Sequence, residues 1–412
     1  MGDFTHNHYV PEWYQHRFLQ PGQGKYNYLD LSPEKIVTPS GHTYTRSALL
    51  KWGPKSCFAQ DDLYTTQWGS LKNTEIERIF FGEIDSNGHK AVDFFDDYKI
   101  KDGMHEAFQN LVRYMSIQKL RTPKGLGFIS NIFDINSTNK LLLFLQRIQY
   151  MYGAVWADAV WQIADASESP TKFIISDHPV TVYNRARFPG SPHCRGFNDP
   201  DVREVATHTY FPLSLDKVLI LTNLSWVRNP YQRETSDHPN QTLFRTTMFK
   251  ATDIQQGRML SEQEVLQINY VTKMRALRYI AAAEKDWLYP EERLSSTHWS
   301  QFGDGLLFMP EPRAIHMGGQ IVIGYKDGSS EVFGEYGHRP GQKGYKDQNR
   351  ESRETKALQR FKGEFALMQG KTWRGWPIDH FGKAGPQVDS DDYFEHLISN
   401  VKDLKWRRKY GT

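Results

Sequence analysis

Gly103-Met104-His105-Glu106-Ala107-Phe108-Gln109-Asn110-Leu111-Val112-Arg113-Tyr114-Met115-Ser116-Ile117-Gln118-Lys119-Leu120-Arg121-Thr122-Pro123 is the stretch on which the fold turns. Phe108, Leu111, Val112 and Met115 recur at i, i+3, i+4 and i+7, the spacing that places them on one face of an α-helix. Thr122-Pro123 should end that helix near Arg121, because proline disfavours the helical conformation in the residue before it. Gln118 and Arg121 then share a face at the C-terminal end, where the macrodipole favours a cation. A helix of this kind asks for partners, and the chain on either side supplies them.

Downstream, residues from about Asn136 to Ala166 read as a long helix that is apolar nearly all round, fit for the middle of a core. Lys172 to Tyr183 reads as a buried strand, a polar Ser176-Asp177-His178 break and a second short strand. Lys217 to Thr222 is another strand. Ser261-Glu262-Gln263-Glu264 is a capping box opening a helix that should run to about Ala283. Ile321 to Phe333 carries Asp327-Gly328 between alternating apolar residues, which predicts a β-hairpin. Upstream, Ser70 to Phe81 looks helical, Asn87-Gly88 marks a turn, and Lys25 to Leu31 is a strand that could pair with the segment holding His8. The fold expected is α+β: a helical core with a few strands and a C-terminal β-hairpin region. A main domain spans 1–290 and a C-terminal extension spans 291–412.

The chain has 412 residues, enough for a sizeable core, with 39% hydrophobic and 14% aromatic residues, so that core should be rich in rings. A formal net charge of +3 is too small to imply nucleic acid by itself. Cys57 and Cys194 are the two cysteines, which argues against a disulfide scaffold or a thiolate zinc site. The opening residues lack the basic-then-apolar order of a secretion signal, and apolar runs such as Leu141–Leu145 fall far short of the roughly 20 residues of a membrane helix. A cytoplasmic protein with no membrane partner is the expectation.

Several short motifs in one order resemble a widespread bacterial family, a domain of unknown function that opens with His-Tyr-Val-Pro. They are His8-Tyr9-Val10-Pro11, Asp62-Leu63-Tyr64-Thr65, Gln118-Lys119-Leu120-Arg121-Thr122-Pro123, Ser176-Asp177-His178-Pro179-Val180, Phe211-Pro212-Leu213-Ser214 and Ile268-Asn269. The resemblance covers roughly residues 6 to 285. It departs at His178, where the family more usually has Asn. The resemblance supports the domain boundaries given above and implies no particular activity. The family's scattered distribution suggests phage defence or a toxin role.

The chemistry-bearing candidates follow from residue type and spacing. His6 and His8 stand at i and i+2, so in an extended chain both rings lie on one face. With Asp177 and His178 they could bind a divalent metal, and an open-sided metal would generate hydroxide for hydrolysis. Without one, His8 and Asp177 are candidate acid and base, and Gln118 with Arg121 a candidate phosphate contact. The plainer alternatives are a backbone hydrogen bond for His8, a helix cap and ion pair for Gln118 and Arg121, and an Asx-turn for Asp177.

No G-x-S-x-G, G-x-x-x-x-G-K-[ST], H-E-x-x-H or dinucleotide-binding glycine fingerprint is present, which argues against the common hydrolase, NTPase, metalloprotease and dinucleotide folds. From Arg339 to Lys362 there are eight Lys/Arg against three Asp/Glu, and the tail ends Lys405-Trp406-Arg407-Arg408-Lys409. Lys343, Lys346, Arg350, Arg353, Arg407 and Arg408, with aromatics between them, suit RNA or DNA through phosphate contact and stacking. A solvated helix face would carry the same charges. The sequence therefore leads to a nuclease or other phosphodiester hydrolase, with a non-catalytic binding module and a structural subunit as rivals.

Overall fold

A computed structural model of the chain describes residues 6–99, 103–157, 159–202, 204, 207–222, 254–302, 320–325, 327–334, 338–345 and 348–349. The fold is α+β. Its helices among the described residues are α1 (Glu12–His16), α2 (Gly82–Asp96), α3 (Met104–Arg121), α4 (Pro123–Phe133), α5 (Thr138–Arg147), α6 (Gly153–Ala157) and α7 (Glu262–Arg275). Helix α3 lies at the centre, with Leu111, Val112, Met115, Ile117 and Leu120 all buried in the main core. The expected stop at Thr122-Pro123 proves to be a joint. Thr122 caps α4 by accepting a hydrogen bond from Gly125 N–H, and Pro123 takes the first helical position, where its missing N–H costs nothing.

Two sheets flank the helices. The larger runs Thr181–Tyr183, His208–Pro212, Lys217–Thr222, Val160–Asp165, Gln255–Met259, antiparallel except for its last pair. The smaller runs Ile175–Ser176, Tyr279–Ala282, Tyr26–Asp30, Leu49–Trp52, all antiparallel. The segment 172–183 therefore feeds one strand to each sheet, and Ser176-Asp177-His178 is the crossing point. Gln320–Gly324 and Ser330–Gly334 form the expected hairpin. Among the described residues no helix is long and apolar enough to cross a membrane.

Five local expectations are corrected. The stretch 136–166 is α5, α6 and then the strand Val160–Asp165, in which Trp161 and Ile163 are buried on a sheet whose neighbours demand an extended chain. Residues 70–81 are a strand, Leu71–Asn73, and a π-helical turn, Ile76–Phe81, that leads into α2. Asn87-Gly88 lies inside α2, because Gly88 is where Tyr114 of α3 comes closest: a Cβ there would stand 2.4 Å from that ring. Helix α7 ends at Arg275, since Tyr279–Ala282 is claimed by the smaller sheet. Tyr26–Asp30 pairs with Tyr279–Ala282 and Leu49–Trp52, while His6–His8 pairs with Ala59–Asp61. The packed core also continues past 290: Trp299 and Phe302 are buried in it, and both of their carbonyls accept from Tyr183 Oη at 2.6 Å.

Candidate functional site

A cavity of about 410 Å³ opens between the α3–α4 joint, the segment 151–155, His178 and the loop 197–202. That volume falls in the ~300–1,000 Å³ range of small-molecule sites. Each polar group on its floor is put there by the fold. Lys119 comes from the last turn of α3, His178 from the crossing between the sheets, and Asp199 from the loop, while Thr122 of the joint holds His178 from behind. The joint itself is tight, for a Cβ on Gly125 would lie 2.2 Å from the Lys119 carbonyl.

These groups are tied to one another. Asp199 accepts from Lys119 Nζ at 2.5 Å and from Lys124 Nζ at 2.5 Å, and lies 3.0 Å from His178 Nε2. Lys119 Nζ stands 3.1 Å from the same imidazole nitrogen, and Lys124 also donates to the Arg275 carbonyl at 2.7 Å. Thr122 Oγ1 is 2.8 Å from His178 Nδ1. That oxygen also accepts from Gly125 N–H, so the hydroxyl joins the imidazole to the start of α4. With Nδ1 paired to Thr122 and Nε2 to Asp199 and Lys119, both ring nitrogens of His178 are engaged.

Burial lowers the His178 pKa to about 3, with the charges of Lys119 and Lys124 pushing the same way, so the ring is neutral at pH 7. Burial also lowers Lys119, with Asp199 opposing it and Lys124 and Arg275 reinforcing it. For Asp199, burial works against the charge, but Lys119, Lys124 and His178 outweigh it and hold the carboxyl well below its ordinary range. Lys119 and Lys124 share the Asp199 carboxylate in a low-dielectric setting, which leaves one positive charge in that cluster, and Asp201 on the wall balances it.

The residues singled out from sequence are placed differently. His8 Nε2 donates to the Lys55 carbonyl at 3.2 Å, and His6 Nδ1 lies 2.7 Å from Asp61. Asp177 accepts from the backbone N–H groups of Leu277, Arg278 and Tyr279 at 2.8, 2.6 and 2.8 Å, which makes it a clamp on the neighbouring strand and leaves it no geometry for a base. Gln118 donates to the Tyr9 carbonyl at 2.7 Å and accepts from Arg121, whose guanidinium is otherwise held by Asp85 at 2.7 and 3.0 Å. Arg121 is fully buried over the rings of Phe81 and Tyr114, so it locks α3 to α2 and is closed to phosphate.

The proposed metal set His6, His8, Asp177 and His178 is corrected too. Among the described residues no three His, Cys, Asp or Glu side chains gather in a way that could hold a metal ion. Of the expected site residues His178 alone lines the cavity; Lys119, Asp199 and Asp201 were missed. Lys119 sits inside a quoted motif, yet its helical position reads as an ordinary C-terminal cation. Of the basic residues assigned to nucleic acid, Lys343 is exposed, and Lys346, Arg350, Arg353, Arg407 and Arg408 lie outside the described residues. Comparison with known proteins finds no matching family model, no matching curated protein and no matching solved structure.

Proposed function

We propose that the chain is a phosphoester hydrolase, of the phosphodiester-cleaving kind expected from its sequence, working on a small anionic substrate in the 410 Å³ cavity. The observation that carries this reading is the buried Lys119 ammonium on the cavity floor, held at 2.5 Å by Asp199 with Lys124 behind it. An ammonium in a largely apolar cavity gives an anion a direct charge partner, and that contact strengthens as negative charge develops on the phosphoryl oxygens in the transition state. Lys119 contacts the phosphoryl oxygen and gives its proton to the leaving oxygen, a transfer eased by its lowered pKa. Asp201, the other carboxylate on the wall, takes the proton of the attacking water. His178, Thr122 and Asp199 position the ammonium. A bacterial, cytoplasmic member of the His-Tyr-Val-Pro family acting in phage defence or as a toxin is the setting that goes with this reading, and nuclease activity is its polymer-directed form.

The test is hydrolysis of bis(p-nitrophenyl) phosphate together with binding of inorganic phosphate. Lys119→Met should lower kcat/KM by at least 100-fold and weaken phosphate binding at least tenfold. Asp201→Asn should lower kcat at least 100-fold and change phosphate binding little. His8→Ala, at a residue that pairs with Lys55, Glu12 and His6 and does not line the cavity, should leave both within about threefold. Phosphate binding without turnover in the unaltered chain would replace the enzyme with a non-catalytic binding module. Turnover that survives Lys119→Met would remove the cavity from the reaction.

A further inference from the structure

The charged floor accounts for one end of the cavity, and the rest of its wall has a different character. Phe128, Ile132, Met151, Val155, Phe197 and Val202 line it, whereas beyond the floor Tyr152 and Asp201 are the lining residues with polar side chains among those described. The apolar surface does not stop at the mouth. Ile132 is 55% exposed, Met151 40% and Phe197 36%, and their sequence neighbours Phe133 and Tyr150 are exposed as well. A wall built to read a nucleobase would present several placed donors and acceptors, and an exposed apolar rim continuous with a pocket marks a binding surface.

Phe197 owes its position to a glycine. A Cβ on Gly127 would lie 2.6 Å from the Phe197 ring, so α4 is bare where that ring seats. The ring stands two residues from Asp199, so one loop supplies both the apolar wall and the partner of Lys119. Polar floor, apolar shaft and apolar lip are thus arranged along a single path.

We infer that the cavity takes a single-chain amphiphile, with a phosphodiester head on Lys119, for which monoalkyl phosphates serve as binding probes, and an aliphatic chain running past Phe128, Val155 and Phe197 to the exposed lip at Ile132 and Met151. This names the substrate class and rests on the phosphoester reading above. Each buried methylene adds to affinity, so a homologous series of alkyl phosphates should tighten by roughly tenfold for every two CH₂ groups until the chain reaches the lip.

Calorimetric titration of the full chain with ethyl, butyl, hexyl and octyl phosphate, each below its micelle concentration, measures this directly, with adenosine monophosphate and octanol as comparison ligands. The expected result is the stepwise gain along the series, octyl phosphate binding at least 30-fold tighter than adenosine monophosphate and than octanol. Ile132→Ser, a change at an exposed rim position, should weaken octyl phosphate at least threefold and leave ethyl phosphate unaffected. Adenosine monophosphate binding as tightly as octyl phosphate, or no gain with chain length, would overturn the amphiphile and leave the hydrolase reading standing. Octanol matching octyl phosphate, or no phosphate binding at all, would overturn both.

Discussion

Glu77 lies in the π-helical turn Ile76–Phe81, with Oε2 shut away from water and without a hydrogen-bond partner among the described residues. Burial raises its pKa to about 7; the charge of Arg121 opposes the shift and that of Asp85 adds to it. The folded chain therefore binds this proton more tightly than the unfolded chain, whose carboxyl titrates near 4.5. Stability from the protonated form is complete below pH 4.5 and is lost as pH rises through about 7. The full shift would be worth ~3 kcal/mol, and because the residue is half-buried an effect of about 1–3 kcal/mol is expected. Glu77→Gln should thus raise the urea midpoint at pH 8 by that equivalent and leave it nearly unchanged at pH 4.5. An equal change at both pH values would mean that the carboxylate is not the source. Residue by residue, Gln118, Arg121 and Asp177, which sequence offered as chemistry, prove to hold elements together, and Glu77, with its unsatisfied oxygen, was not among the candidates.

At the scale of elements, the contact between α2 and α3 is set by Gly88. Replacing it with Ala would normally favour a helix by up to ~1 kcal/mol, yet the added Cβ would meet Tyr114 at 2.4 Å, and Tyr114 is fully buried. Overpacking of that kind costs ~1–3 kcal/mol and should win. Gly88→Ala is expected to destabilise the chain by about 1–2 kcal/mol in urea unfolding; a gain in stability would show that the two helices can part without penalty. The same residue explains why parts of the fold could not be read from sequence. Helix α3, the capping box at Ser261–Glu264 and the Asp-Gly hairpin follow from residues a few positions apart, and all were legible. Gly88 in mid-helix, the strand Val160–Asp165 and the end of α7 at Arg275 answer to neighbours distant in sequence, and local pattern misplaced each of them. The cavity floor was hidden for the same reason. Lys119 and Asp199 stand 80 residues apart, and Asn198-Asp199-Pro200 has the composition of a plain turn.

For the molecule as a whole, the crossing between the two sheets must be held in place if Lys119, His178 and Asp199 are to meet, and Asp177 anchors its near end. It sits where 172–183 crosses from the smaller sheet to the larger, and its carboxylate accepts three consecutive backbone N–H groups from 277–279 while its own N–H donates to the Tyr279 carbonyl at 2.9 Å. Those N–H groups bridge the end of α7 and the strand Tyr279–Ala282, so one carboxylate ties the crossing segment to a helix end and to the smaller sheet. Removing it strands several donors in a buried place, at ~1–3 kcal/mol for each that water cannot reach. Asp177→Ala should therefore cost about 3–5 kcal/mol in global unfolding, and Asp177→Asn, which keeps one accepting oxygen, about 1–3 kcal/mol. Where the folded fraction persists, as measured by circular dichroism, Asp177→Asn should bind inorganic phosphate within about threefold of the unaltered chain, because Lys119 and Asp199 are untouched. A loss below 1 kcal/mol for Asp177→Ala would deny the clamp. Phosphate binding abolished by Asp177→Asn in a folded protein would return Asp177 to the chemistry, the place from which its three backbone partners remove it.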